Sequence, residues 1–169
     1  MLKTIKERSS IRKYKKEALK KEEIEAVVEA GLRAPTARNE QEINFTVVST
    51  NNVIVKEIQN DLNPDADHSF YYDAPTLIFL SGKDDFSWSQ VDAGIAVENM
   101  HLSAKEMGLG SLIIGCIRTL MNSEKKEYYA KKLGFKEGYS FIVSIAIGYP
   151  DTDKPQHNYS KENNVNYID

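Results

Sequence analysis

The segment RSSIRKY, Arg8 to Tyr14, and the later segment APTARNEQ, Ala34 to Gln41, decide how this chain is to be read. The first sets two guanidiniums, Arg8 and Arg12, around adjacent hydroxyls, Ser9 and Ser10. Such a donor set clamps a phosphate through charge-assisted and bidentate hydrogen bonds. The second supplies uncharged donors and acceptors, Thr36, Asn39 and Gln41, suited to the edge of a neutral heterocycle. Together they describe an anion cradle and a polar loop.

Between and beyond them the chain alternates helical and strand patterns. Leu2 to Arg8 reads as one amphipathic turn, and Lys20 to Leu32 as a helix with Ile24, Val27, Val28, Gly31 and Leu32 at offsets of three and four. Ala34-Pro35 ends that helix, because the residue before a proline is pushed out of the α region, so Thr36 to Gln41 is a loop. Phe45 to Thr50 has strand composition, and Val53 to Leu62 returns to helical spacing. Asn63 to Asp73 is a polar loop whose aromatic end, Phe70, Tyr71 and Tyr72, suggests a lid.

Thr76 to Ser81 and Phe141 to Ile147 are apolar on both faces, as befits strands inside a sheet covered on two sides. Ala93, Ala96, Val97, Met100, Ala104 and Met107 form the stripe of a long central helix. Ser123 and Glu124 mark the start of another helix and Gly134 its stop.

These elements, in this order, resemble the nitroreductase family of FMN-dependent flavoproteins. The likeness is carried by RSSIRKY and APTARNEQ, by DAGIAVENMHLSAKEMGLGSLIIG (Asp92 to Gly115), similar to the family's central helix and the loop after it, and by IAIGYP (Ile145 to Pro150), similar to its last core strand. The resemblance implies an α+β fold, a central mostly antiparallel sheet flanked by helices, in one domain over residues 1–169. It also implies that the tail 151–169 extends onto the partner subunit of a homodimer with FMN at the interface.

Carried over residue by residue, the resemblance implies that Arg8, Ser9, Ser10 and Arg12 hold the FMN phosphate and ribityl chain. The resemblance likewise implies that Pro35, Thr36, Ala37, Asn39 and Gln41 contact the ring of the flavin bound mainly by the other subunit, and that Ile113, Ile114 and Gly115 present backbone groups near its hydride-accepting nitrogen. Two departures stand out. The family follows its loop glutamine with proline and tryptophan, where this chain has Glu42, Ile43 and Asn44, and the family's basic tail residues are reduced here to Lys154, Gln156, His157, Asn158 and Lys161, with Lys154 the best candidate for the phosphate.

The implied reaction passes hydride from NADH or NADPH through FMN to a small electron-poor acceptor such as a nitroaromatic or quinone. No protein nucleophile is needed, since the cofactor carries the difficult chemistry. Enone reduction or dehalogenation on the same flavin, and non-catalytic storage or sensing of FMN, are the alternatives.

Composition bounds the rest. A chain of 169 residues buries roughly two-thirds of its unfolded surface and needs no staple. The lone cysteine, Cys116, excludes an intramolecular disulfide, fits a reducing compartment, and reads as a small buried hydrophobe after Leu112 to Ile114. No run reaches the roughly 18 apolar residues of a membrane span, so a cytoplasmic protein is expected. Nine basic residues lie within Met1 to Lys21, yet the net charge of -3 argues against a nucleic-acid partner.

His68, His101 and His157 are isolated, so no metal site is expected, and His101 reads as an ordinary structural histidine. Gly108-Leu-Gly110 follows a helix instead of opening one, which excludes a dinucleotide-fold fingerprint.

Overall fold

The computed structural model describes residues 2–156, 158–159 and 164–168. Helices α1 (Lys3–Glu7) and α2 (Lys21–Leu32) precede strand β1 (Asn44–Ser49), helix α3 (Val53–Leu62) and strand β2 (Thr76–Lys83). Helix α4 (Ser89–Glu106), strand β3 (Gly110–Ile114), helices α5 (Arg118–Met121) and α6 (Lys126–Leu133) and strand β4 (Tyr139–Gly148) complete the chain. The four strands form one sheet in the order β1-β2-β4-β3, every neighbour antiparallel. The fold is α+β, as the resemblance implies.

The two central strands explain the layering. Along β2, Leu77 and Phe79 face one way and Ile78 and Leu80 the other, and all four are fully buried. Leu77 and Phe79 join Ile54, Val55 and Ile58 of α3 and Tyr129 and Leu133 of α6 in one core. Ile78 and Leu80 join Val27 of α2 and Ala93, Ala96, Val97, Met100 and Ala104 of α4 in the other. A sheet with helices on both faces needs apolar residues at consecutive strand positions, which is the pattern seen. The expected stripe of α4 is buried as far as Ala104, and Met107 lies at the helix end, half exposed.

Local signals set the boundaries. Glu23 reaches back to the Lys20 N–H (2.8 Å) at the start of α2, and the Asn52 side chain accepts from Ile54 N–H (3.0 Å) at the start of α3. Gly134 closes α6 in the left-handed region at φ 69°. Ser123 accepts from Lys125 N–H (3.2 Å), but the helix it was expected to cap starts at Lys126.

Three expectations are corrected. Gly110 to Ile114, read as loop, is an edge strand, because its backbone pairs with β4 from Gly110↔Gly148 to Ile114↔Ser144. Cys116 is exposed, since β3 has ended and the chain turns away from the sheet at Gly115. The aromatic end of 63–73 is pinned: Phe70 is buried in the α3 core, and its N–H donates to Gln59 Oε1 (2.8 Å). Among the described residues no helix is long and apolar enough to cross a membrane.

Candidate functional site

The Arg8–Tyr14 segment is laid along the edge strand. Ser10 bridges Ser111, Ile11 N–H donates to the Ser111 carbonyl (3.0 Å), and Tyr14 pairs with Pro150 while its hydroxyl donates to the Ile11 carbonyl (2.8 Å). Two glycines that face each other across β3 and β4, Gly110 and Gly148, make room for it. A Cβ on Gly110 would stand 3.0 Å from Ile11, and one on Gly148 would stand 2.9 Å from Tyr14 and 2.5 Å from Pro75. The close approach of backbones is what requires glycine here.

Beside that segment lies a cleft of about 150 Å³ whose cations are Arg8, Lys105 and Lys154, with Ser9 and Ser111 also on its wall. Lys154 Nζ donates to the Ser10 carbonyl (3.0 Å), which fixes the first turn of the tail over the cradle. Glu7 and Asp153 line the same cleft, and Glu7 pairs loosely with Lys105 (4.0 Å). The Arg8 guanidinium is held by α4: Nε lies 3.4 Å from Glu98 Oε1, and Nη1 donates to His101 Nε2 (2.9 Å). His101 is 1% exposed, and its other ring nitrogen contacts Ser111 Oγ. Burial, aided by the Arg8 charge, lowers the His101 pKa to about 4, while burial raises that of Glu98.

Arg12 goes elsewhere. It is exposed and lies over the Tyr72 ring (5.8 Å to the centroid), which stacks on His68 (4.7 Å) beside a second groove of about 460 Å³. Arg8, Ser9, Ser10 and Lys154 are therefore brought together, and Arg12 is not with them.

The Ala34–Gln41 loop is built on strain. Ala37 to Asn39 form one 3-10 turn, and Arg38, Asn39 and Gln41 adopt φ of 55°, 56° and 51°, a region that costs L-residues free energy unless the surroundings impose it. The surroundings do so. Gln41 N–H donates to Thr36 Oγ1 (2.9 Å), Gln41 Nε2 to Asn39 Oδ1 (3.3 Å), and Ala37 N–H to the buried Asp92 Oδ2 (3.0 Å).

Next to Asp92 lies Glu42, 3% exposed, whose carboxyl oxygens accept from no donor; burial and then Asp92 push its pKa up. Pro35, Asn39 and Gln41 are exposed, and Thr36 and Ala37 half-buried.

The two groups of residues meet α4 near opposite ends: Ala37 at Asp92, Arg8 at His101. Nine residues of helix separate them by about 13 Å. Ile113 is half exposed on β3, Ile114 is buried, and Gly115 has open space where a Cβ would stand. His157 and Lys161 lie outside the described residues. Among those described, no group of three or more His, Cys, Asp or Glu side chains could hold a metal ion. Sequence reading passed over Glu98, His101, Ser111 and Asp92 as site residues; only Asp92, opening the central-helix motif, carried a signal.

The chain is also similar to known proteins. A family model described as "Nitroreductase family" matches residues 5–149. An Archaeoglobus fulgidus protein provisionally named NADH dehydrogenase/NAD(P)H nitroreductase is 29% identical over 157 residues, which cover 90% of this chain and 87% of that protein. The NADPH-flavin oxidoreductase of Vibrio harveyi is 29% identical over 167 residues, 89% of this chain and 65% of the relative. The crystal structure of a nitroreductase with bound FMN from Desulfitobacterium hafniense superposes with a TM-score of 0.87 at 27% identity, over 99% of this chain and 97% of the other.

Proposed function

This chain belongs to the nitroreductase family, and from that premise we propose the substrates, assembly and site residues of an FMN-dependent oxidoreductase. When bound, FMN supplies the two-electron chemistry that links NADH or NADPH to a small electron-poor acceptor such as a nitroaromatic or quinone.

The observation that carries the site is the Arg8 cleft. Three cations and the Ser9 hydroxyl converge where the Arg8–Tyr14 backbone is locked to β3, and one edge of the Arg8 guanidinium is left over after Glu98 and His101 have taken their share. That donor set fits a phosphate monoester. In this reading Arg8, Ser9, Ser10 and Lys154 bind the phosphate end of FMN. Arg12 and Tyr72 border the second groove, and Ile113, Ile114 and Gly115 offer backbone to the ring, with nothing beside Gly115 to obstruct it.

Pro35, Thr36, Ala37, Asn39 and Gln41 serve the flavin of the second subunit. The separation of loop and cradle along α4 supports two half-sites that complete each other in a homodimer. So does an unpartnered apolar stripe, Trp88, Val91 and Ile95, on the outside of α4. The tail from 151 onward is an arm of the single domain that packs on the partner; Tyr167 and Ile168 are 86% and 96% exposed in one chain. A supply of reduced nicotinamide places the enzyme in the cytoplasm.

The test is kinetic. Anaerobic NADH or NADPH should bleach the bound flavin, a nitroaromatic should restore its colour, and initial rates should give parallel double-reciprocal lines because donor and acceptor use one site in turn. Failure of both nicotinamides to bleach would favour storage of FMN instead.

A further inference from the structure

We infer that His101 is a positioning residue: a buried neutral imidazole that aims the Arg8 guanidinium at the phosphate while leaving its positive charge unspent. The inference rests on the reading that Arg8 holds the FMN phosphate.

Donor and acceptor counting fixes the chemistry. A guanidinium can only donate, so the Arg8 Nη1 bond (2.9 Å) requires a lone pair on His101 Nε2. His101 is then the neutral tautomer protonated at Nδ1, and that N–H donates to Ser111 Oγ. Burial of the ring, and the Arg8 charge against it, keep it neutral down to about pH 4. Ser111 belongs to the edge strand that carries Ser10 and Ile11, so α4, β3 and the cradle are tied at one point. Glu98 sits one turn earlier on α4 and holds Nε (3.4 Å), so the guanidinium is gripped on two sides.

The difference between the two grips is charge. The half-exposed Glu98 carboxylate offsets part of the Arg8 charge and competes with an incoming anion. A second carboxylate at position 101 would compete further, whereas an imidazole lone pair fixes direction and neutralises nothing. An arginine side chain free to rotate would lose that freedom on binding; one already held has less to lose.

The test compares FMN with riboflavin, which lacks the phosphate, in fluorescence titrations of apoprotein carrying His101→Leu, His101→Gln, Arg8→Ala or Arg8→Ala with His101→Leu. His101→Leu should weaken FMN binding roughly tenfold and leave riboflavin binding within about twofold. His101→Gln, whose carbonyl can accept from Arg8 and whose amide can donate to Ser111, should recover most of the loss. With Arg8 already replaced, His101→Leu should cost nothing more. Equal weakening of both flavins, unchanged FMN binding, or additive losses in the double variant would overturn the proposal.

If Arg8→Ala itself leaves the FMN-to-riboflavin ratio unchanged, it is the phosphate reading that fails, and this inference with it. Should the His101 variants not fold, ¹⁵N chemical shifts of the wild-type ring decide. A neutral imidazole protonated at Nδ1 near pH 6 is expected, and an imidazolium or the Nε2–H form would refute the assignment.

Discussion

Replacing Gly148 by alanine tests the idea that the cradle exists because two strands leave it space. A Cβ at this position would lie 2.5 Å from Pro75 Cδ and 2.9 Å from Tyr14 Cδ1. Neither is the loose end of a flexible chain: one is a proline ring, the other the ring of a buried tyrosine bonded to its own segment. Overpacking of this kind costs about 1–3 kcal/mol, against a gain of about 0.5–1 kcal/mol from replacing glycine within a strand.

The net effect of Gly148→Ala is therefore a loss of up to roughly 2.5 kcal/mol, or up to about 10 °C in Tm at this chain length. Gly110→Ala, opposite it, meets only Ile11 atoms at 3.0–3.2 Å, which can yield by a few tenths of an ångström, so the two terms should nearly cancel. Urea melts of both variants measure the difference, and FMN titration shows whether displacement of Tyr14 carries the Arg8 segment with it. Wild-type stability in Gly148→Ala, or a larger loss in Gly110→Ala, would refute the packing argument.

Other outcomes follow from the same geometry. Arg8→Ala should weaken FMN binding by about 1.5–3 kcal/mol, the scale of a charged hydrogen bond, and Arg12→Ala by less, because Arg12 lies over Tyr72 and outside the cleft; equal losses in a titration would reverse that assignment. Glu42 has a pKa raised by burial and by Asp92, so its contribution to stability is full below its unfolded value of about 4.3 and is lost as pH rises through the folded value. Glu42→Gln should accordingly gain on wild type as urea melts move from pH 4 to pH 8, and parallel curves would show that Glu42 does not titrate with folding. Asn39→Ala and Gln41→Ala should slow flavin reduction or acceptor turnover more than they loosen FMN, as stopped-flow and binding measurements can separate. Truncation after Pro150 should weaken the proposed dimer in sedimentation; an unaltered dimer that binds FMN normally would exclude the tail as an interface arm.

What the sequence revealed depended on how local the cause was. Helix α3 is bounded in sequence and structure alike by Val53 and Leu62, because Asn52 caps it and its period is its own. Strands β2 and β4 declared themselves through apolar residues at consecutive positions. Strand β3 did not: five residues after a helix-ending glycine become a strand only by pairing with β4, whose partner glycine lies 38 positions later in the register Gly110↔Gly148. The same ignorance of where β3 ends put Cys116 inside, when it is exposed.

At the candidate site, Arg8 and Lys154 were legible as charges and Ser9 as a hydroxyl beside them, and the structure brings all three to one cleft. His101 was not legible, because its meaning comes from an arginine 93 positions away. Arg12 reads as the twin of Arg8, yet only Arg8 lines the cleft, while Arg12 lies over the Tyr72 ring.

The most direct test of the account is the flavin that the purified protein carries. Denaturation should release FMN, close to one per chain, and apoprotein should take up FMN in preference to riboflavin, because the cleft lined by Arg8 and Lys154 is the phosphate site proposed above. Release of FAD, no flavin even after reconstitution, or equal affinity for FMN and riboflavin would contradict it.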